Sequence, residues 1–284
     1  LFYIYYNKDF NFFQKNNLLY ISLIFWIYLL SISVIAENKY LAFRDSIIFL
    51  RILFIPILIL YWAHKKDKFI IFLVHCIFIA VIFVTIDTFY QYTQYKSELG
   101  FGNDLLGFTS NWYGRLTGPF GDELIPGAYL SKFALLGIIV LFITIKNKLF
   151  QSVTAIIYLS VIGLVIFGTG ERMALATYMM GLFFLLIFYR NKRLIFFLSL
   201  ASILLLSFVS TKLHPFYNDY EIIESTPFHL GLKIKKTYKC ANNNDLICSK
   251  IINVQPEFVK VLKNFNISAY GEIYNLGIQI YKDH

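Results

Sequence analysis

Charged residues are scarce in this sequence. Asp, Glu, Lys and Arg together make up 15% of its 284 residues, whereas an average soluble protein has about 25%. Hydrophobic residues contribute 58%, the mean hydropathy is +0.61, and long runs without any charge recur along the chain. The shortage of charge argues against a soluble globular protein and predicts a polytopic membrane protein.

Metal-binding patterns and a cleavable targeting signal are also missing. The five histidines and three cysteines show no His-Glu-x-x-His or similar spacing, so the sequence does not indicate a zinc site. We therefore expect neither a metal nor another cofactor.

The sequence also shows no recognisable signal peptide. The first apolar run is too long for one, and further apolar runs follow it.

The excess of basic residues does not indicate a nucleic-acid partner. The formal net charge is +9, but most Lys and Arg residues lie in short loops between apolar runs. Basic residues in such loops mark the cytoplasmic side of a membrane. The expected surroundings are therefore membrane lipid, with no nucleic acid.

Seven apolar segments approach or reach the length of about 20 residues that a membrane-spanning helix needs. They cover roughly residues 18–36, 47–63, 69–89, 126–145, 151–169, 173–189 and 194–211. We predict an all-α fold in which residues 1–211 form a transmembrane helix bundle and residues 212–284 form a largely helical, incomplete outward loop. Because the chain starts at Leu1 and ends just after a patterned segment, we expect a fragment that lacks residues at both ends.

Loop charge predicts the orientation of these spans. Residues 64–68, 146–150 and 190–193 carry net charges of +2, +2 and +3 from their Lys, Arg and Asp residues. Residues 90–125 hold two basic and four acidic residues, a net charge of −2. The positive-inside preference then places the N-terminus and the three basic loops in the cytoplasm. Residues 37–46, residues 90–125 and the tail are predicted to face outward.

A group of cations on the predicted outward side is not accounted for by loop charge. Its members are Arg44, Arg51, Arg115, Lys132 and Arg172. Arg51 and Lys132 lie inside spans, where a cation costs about 2.5–3.5 kcal/mol to insert. Each cation alone could reach the membrane surface by snorkelling at a helix end. As a group they predict an outward-facing anion site, with a diphosphate as the expected ligand.

The segment GTGERMA places Glu171 and Arg172 between two long uncharged runs. Gly168 and Gly170 permit a tight turn, and Arg172 begins the next span at a helix N-terminus, which favours a bound anion. A short loop with one ion pair is the simpler interpretation. We expect Arg172 to be one of the diphosphate-holding cations and Glu171 to orient or neutralise its guanidinium.

Three further residues are weak candidates for acid–base catalysis. Asp122 and Glu123 directly precede the fourth span, where they could act as acid or base. They could also simply favour the N-terminus of that helix. His214 lies in the tail, where a loop residue without a catalytic role is the simpler interpretation.

The polar tail carries two more features. Cys240 and Cys248 could form a disulfide if the tail faces an oxidising compartment, and the sequence leaves this bond open. Apolar residues at three- and four-residue spacing predict a helix over residues 256–282. This helix is expected to lie on the membrane surface or over the site.

Three stretches follow one another in a familiar order. They are YQY…G…DLLGF…GRLTGPFGDELIPGAYLSKF, GTGERMALATYMMG and SAYGEIYNLGIQIYKDH. Together they resemble the O-antigen polymerase/ligase-like family of bacterial membrane glycosyltransferases, over about residues 87–284. The order and spacing of the stretches carry this resemblance, since no single one is highly specific.

The resemblance implies a GT-C-like enzyme of the bacterial inner membrane. Such enzymes transfer a glycan from an undecaprenyl-diphosphate carrier to a hydroxyl of a glycan, lipid or protein acceptor on the periplasmic face. Arg115 and Arg172 match the family's outward arginines, whereas Lys132, Asp122 and Glu123 match further positions of the family's motifs. The family's His-containing motif has no counterpart here, so the catalytic base is expected beyond the end of this chain.

A transporter or flippase of lipid-linked sugars is the main alternative. It would account for many spans and for buried cations, but it needs no large outward loop, and no inverted repeat is evident. A non-catalytic membrane scaffold would leave the cations unexplained. Polymerase and ligase differ only in the acceptor, which the sequence does not show.

Overall fold

The protein is mostly helical and divides into two compact units, Leu1–Leu73 and Val74–His284. The computed structural model describes residues 17–66, 68–96, 100–218, 221–225, 232–240, 243–254, 265–267 and 269–283. Among these residues, five helices are long and apolar enough to cross a membrane. The chain is therefore a multi-pass membrane protein.

The first unit contains helix α1 (Asn17–Ile35) and helix α2 (Lys39–Lys65). The Asn38 side chain accepts a hydrogen bond from the Leu41 amide at 3.2 Å and so caps the start of α2. Helix α2 thus begins at Lys39, well before the predicted span that starts at residue 47. The segment predicted as an outward loop over residues 37–46 is mostly helical, because this local cap allows the helix to begin early.

Polar contacts join α1 to α2. The hydroxyls of Ser33 and Ser46 lie 2.7 Å apart in a hydrogen bond, and the Trp26 indole donates to the Ser46 carbonyl at 3.0 Å. These groups satisfy each other between apolar helices, where an unpaired polar group would be costly.

Five long helices make up most of the second unit. Helix α3 (Phe69–Thr93) crosses the boundary between the units, and the others are α4 (Pro126–Thr144), α5 (Lys148–Gly168), α6 (Arg172–Phe188) and α7 (Arg193–Leu213). Their ends lie within a few residues of the predicted spans. The apolar segment Leu19–Ile35 of α1 and helix α6 are shorter than the five candidate spans, so the total of seven spans stays a prediction.

Helix α4 packs on α5 and α6, and both of these pack on α7. Two buried tyrosines connect neighbouring helices through backbone carbonyls. The Tyr158 hydroxyl donates to the Ala134 carbonyl at 2.8 Å, and the Tyr178 hydroxyl donates to the Leu159 carbonyl at 2.9 Å. Each hydroxyl therefore finds a partner inside an apolar core, as a buried tyrosine requires.

The two ends of this bundle carry different groups. At one end, the Lys192 ammonium donates to the Gln151 side chain at 2.6 Å, and Gln151 directly follows the basic segment 146–150. At the other end lie the loop that follows α3, the turn before α6 and the end of α7. The predicted alternation of cytoplasmic and outward loops along the chain requires the same grouping. Which end faces the cytoplasm stays a prediction.

The prediction of a largely helical loop over residues 212–284 was wrong, because part of this tail forms a β-sheet. Strands β3 (Glu221–Ser225), β4 (Leu232–Cys240) and β5 (Asn243–Val254) form an antiparallel sheet in that order. The physical reason is the two-residue alternation of β4, in which Ile234 and Lys236 are buried while Thr237 is exposed. Alternation of this kind favours a strand over a helix.

Short elements complete the second unit. Strands β1 (Tyr95–Lys96) and β2 (Gly100–Phe101) pair within the loop after α3, and α8 (Pro215–Asn218) follows α7. Helix α9 (Ala269–Asp283) occupies the later part of the predicted helix 256–282. Residues 256–264 and 268, which belong to the same prediction, lie outside the described residues.

Candidate functional site

The end of α3 organises the loop that follows it. Asp87 and Gln91, four residues apart, share one helix face, and both are fully buried. The Gln91 side-chain oxygen Oε1 accepts hydrogen bonds from the backbone amides of Thr117 and Gly118 at 3.0 and 2.9 Å. The side-chain nitrogen Nε2 donates to the Gly102 carbonyl at 3.3 Å. One side chain thereby holds two distant parts of the loop together.

Two aspartates hold the middle of the same loop. Asp87 accepts the Leu105 amide at 2.9 Å through Oδ1, and Asp104 accepts the Phe108 amide at 2.7 Å through its own Oδ1. The Asp104 amide also donates to the Phe108 carbonyl at 2.9 Å. No sequence pattern described above assigned a role to Asp87, Gln91 or Asp104.

The turn before α6 contacts this loop through Arg115. Gly170 has a φ of 73°, a conformation that glycine adopts at little cost, and its carbonyl is thereby presented to Arg115. The Arg115 Nη1 donates to that carbonyl at 2.6 Å. The loop after α3 and the turn before α6 thus meet at one guanidinium.

Glu171 connects this turn to the start of α4. Its Oε1 accepts the Gly127 amide and its Oε2 accepts the Ala128 amide, each at 2.9 Å. Pro126, the first residue of α4, has no N–H, so one carboxylate satisfies the amides of the second and third helical residues. The carboxylate also complements the positive end of the helix dipole.

The protonation of Glu171 reflects opposing influences. Burial raises the pKa of its carboxyl above the usual value, while the amides of Gly127 and Ala128 and the charge of Arg115 act to lower it. Burial has the larger effect. Arg115 is therefore the charge partner that favours the ionised carboxylate in this site.

Gly127 fits closely against the turn, which gives a stability prediction. A Cβ at this position would lie 2.6 Å from Thr169 Oγ1 and 2.9 Å from Glu171 Oε1. We expect Gly127→Ala to lower the free energy of unfolding by about 1–3 kcal/mol, measured by thermal unfolding in detergent. Gly277→Ala in α9, where a Cβ meets nothing within 4 Å, should instead be neutral or stabilise by about 0.5–1 kcal/mol. Equal effects of the two substitutions would contradict the close packing.

The other predicted site residues of the second unit lie within a few residues of Gly127 or Glu171 in the sequence. Arg172 is the first residue of α6, directly after Glu171, and it is half-buried. Lys132 lies one helical turn beyond Ala128 in α4 and is exposed. Asp122 and Glu123 are exposed, and Glu171, not either of these acids, accepts the first free amides of α4.

Arg44 and Arg51 belong to the first unit, and both are exposed on α2. Arg44 pairs with its neighbour Asp45 at 3.1 Å, an exposed ion pair of the kind that contributes little to stability. The structure brings Arg115, Glu171 and Arg172 into one place. The role of Arg44 and Arg51 in that site stays a prediction.

His214 directs both ring nitrogens at the backbone. Nε2 lies 3.0 Å from the Tyr92 carbonyl, and Nδ1 lies 3.1 Å from the Phe216 amide. This pattern fits the neutral ring with its proton on Nε2, since the amide needs an acceptor at Nδ1. Burial lowers the pKa of His214, and nearby Lys236 lowers it further. The geometry favours a structural role, and catalysis by His214 stays a prediction.

Lys236 is a buried cation that the sequence did not single out. Its side chain is 1% exposed and lies over the rings of Tyr95, Tyr113 and Phe216 at 5.0, 5.6 and 5.2 Å. It also donates to the Tyr95 hydroxyl at 3.1 Å. Cation–π attraction strengthens when the cation is removed from water. Strand β4 is therefore joined to the loop after α3 and to α8.

This arrangement predicts that Lys236 anchors the tail sheet. We expect Lys236→Met to make the segment 221–254 several-fold more sensitive to limited proteolysis in membranes, because the rings lose their cation. Lys239→Met, at an exposed position of the same strand, is the matched control and should leave cleavage unchanged. Equal cleavage of the Lys236→Met variant and the unaltered protein would show that the contact does not anchor the sheet.

The cysteines are only partly described. Cys248 is disulfide-bonded and Cys76 is free. The side chain of Cys240 lies outside the described residues, so its pairing with Cys248 stays a prediction. Within the part of the chain that the structure describes, no three His, Cys, Asp or Glu side chains form a metal-binding group.

No protein-family model, no curated protein and no solved structure matches the chain. The fold defines a multi-pass membrane protein, in which Arg115 joins a folded loop to the turn before α6 and Glu171 joins that turn to the start of α4.

Proposed function

We propose that this protein transfers a glycan from an undecaprenyl-diphosphate carrier to an acceptor hydroxyl at the outer face of the membrane. It would act as a glycosyltransferase of the O-antigen polymerase or ligase type. The supporting observation is the contact of Arg115 with the Gly170–Glu171 turn, at the point where Arg172 and α6 begin. Two arginines and a helix N-terminus in one place favour a phosphate ligand.

The chemistry of the transfer needs such a site. The acceptor oxygen attacks the anomeric carbon, the bond from that carbon to the diphosphate oxygen breaks, and the acceptor proton passes to a base. Negative charge grows on the departing diphosphate, where positioned cations stabilise it more than they stabilise the donor. Arginine suits this task because its planar donors can hold two phosphate oxygens at once.

Glu171 has a supporting role in this proposal. Its carboxylate lies between the amides of α4 and the charge of Arg115. It would orient Arg115 without binding the diphosphate itself. The diphosphate would bind to the sides of the cations that point away from Glu171. Lys132, Arg44 and Arg51 remain further predicted ligands, and the base remains unassigned among the predicted candidates Asp122, Glu123 and His214.

The glycan pools of a cell that lacks the gene test this function. Loss of long surface polysaccharide with single repeat units retained would indicate a polymerase. Lipid-linked polymer that never reaches its final acceptor would indicate a ligase. Normal glycans in both pools would refute the transferase proposal.

A flippase of lipid-linked sugars could use the same cations, so it needs a separate measurement. Vesicles that contain the purified full-length protein and a labelled lipid-linked sugar separate the two activities. A transfer product formed at the outer face supports the glycosyltransferase. Movement of the label across the bilayer without any transfer product would favour the flippase.

A further inference from the structure

A buried pocket of oxygen atoms lies beneath Gly118, at the end of α3. Asp87, Thr88 and Thr117 are 0% exposed there, and Asp104 is 3% exposed. The pocket belongs to the same loop as Arg115 but uses none of the residues assigned to the diphosphate. A ligand could therefore bind in this pocket whether or not the protein transfers glycans.

Each of these four side chains has an oxygen atom for which the described residues provide no hydrogen-bond partner. The four atoms are Asp87 Oδ2, Thr88 Oγ1, Asp104 Oδ2 and Thr117 Oγ1. Buried side-chain oxygens almost always have a partner, and isolated exceptions need a specific explanation. Four exceptions along one short loop and the helix end beneath it indicate a ligand.

At least two of these atoms lie close to Gly118. A Cβ on Gly118 would clash with Thr88 Oγ1 and would lie 3.5 Å from Asp87 Oδ2. Gly118 has a φ of 49°, and its lack of a side chain allows both oxygens to approach this turn. Thr117 is the preceding residue, so its hydroxyl belongs to the same short segment.

The two carboxylates are held in place by their other oxygens. Asp87 Oδ1 binds the Leu105 amide and Asp104 Oδ1 binds the Phe108 amide, which leaves Oδ2 of each available to a ligand. Because Leu105 directly follows Asp104, the first bond brings the two carboxylates near each other, and they interact electrostatically. Two like charges in a buried place need a neutralising partner.

We propose that this pocket binds one Ca²⁺ ion through Asp87, Asp104 and the hydroxyls of Thr88 and Thr117. The available atoms are all oxygens, which indicates a hard cation, and two carboxylates match a divalent charge. Ca²⁺ accepts irregular sets of carboxylate, carbonyl and water oxygens, whereas Mg²⁺ demands a near-octahedral set and keeps its waters. The bound ion would fasten the loop that carries Arg115 to the end of α3.

Calcium binding can be measured on the purified full-length protein in nanodiscs. Equilibrium dialysis with radioactive Ca²⁺ is expected to show one ion per chain, and thermal unfolding should shift upward with Ca²⁺ and downward with a chelator. Asp87→Asn and Asp104→Asn are expected to weaken binding at least tenfold. Thr117→Val, which keeps both carboxylates, should weaken it several-fold. Glu272→Gln, at an exposed acid in α9, is the matched control.

The same measurements can contradict the calcium proposal. The proposal fails if the unaltered protein binds no Ca²⁺ at millimolar concentration, or if Asp87→Asn and Asp104→Asn bind it as well as Glu272→Gln does. Equal stabilisation by Mg²⁺ and Ca²⁺ would also overturn the assignment to calcium.

Discussion

Arg115→Met is expected to reduce glycan transfer by about 100-fold or more, because the departing diphosphate loses a positioned cation. The measurement is the formation of transferred glycan in membranes that contain the full-length protein and its lipid-linked donor. Arg172→Met should cause a loss of similar size. Lys239→Met removes an exposed cation from the tail and is expected to leave transfer unchanged.

Arg115 also contacts the Gly170 carbonyl, so loss of folding must be separated from loss of phosphate binding. Arg115→Lys keeps the charge and is expected to recover part of the activity. Inhibition by added inorganic diphosphate should weaken in Arg115→Lys and Arg172→Met, an effect that a purely structural role would not produce. Full transfer by both methionine variants, at normal protein levels, would refute the diphosphate site.

Glu171→Ala is expected to lower the free energy of unfolding by about 2–4 kcal/mol. Two helix amides lose a charged acceptor, and the half-buried Arg115 loses its counter-charge. Thermal or denaturant unfolding in detergent provides the measurement. Glu171→Gln retains one carbonyl acceptor and is expected to cost about half as much, since one amide of α4 remains satisfied.

Glu123→Ala is the matched control for this prediction. Glu123 lies just ahead of α4, but it is exposed and accepts neither the Gly127 nor the Ala128 amide, both of which donate to Glu171. We expect its removal to change the free energy of unfolding by less than about 0.5 kcal/mol. If Glu123→Ala destabilised the protein as much as Glu171→Ala, capping by Glu171 would not be the source of the stability.

The helices of the bundle were largely predictable, whereas the tail was not. Long apolar runs located α4 (Pro126–Thr144) and α5 (Lys148–Gly168) to within a few residues, because an apolar helix that satisfies its backbone internally is the structure that spans a membrane. The sheet over residues 221–254 was missed. Its alternation of apolar and basic residues is visible in LKIKK, but the expected helical tail took precedence over that local signal.

The buried cation of that sheet shows why a local pattern was not sufficient. Lys236 looks like a solvated residue in a basic strand, yet it shares the buried face of β4 with Ile234. Its burial depends on the rings of Tyr95, Tyr113 and Phe216, which come from two other parts of the chain. No window of sequence around Lys236 contains the first two of these partners.

The sequence by itself determined that this is a multi-pass membrane protein, because composition and run length decide whether a helix is stable in lipid. It also placed Glu171 and Arg172 at a turn between two apolar helices. Only the tertiary structure decided what Glu171 does there. The sequence suggested the nearby acids Asp122 and Glu123 as the charges that favour the N-terminus of α4, but the turn brings the Glu171 carboxylate to the Gly127 and Ala128 amides. Such a contact joins residues more than forty positions apart, and its distance in space cannot be obtained from any local pattern.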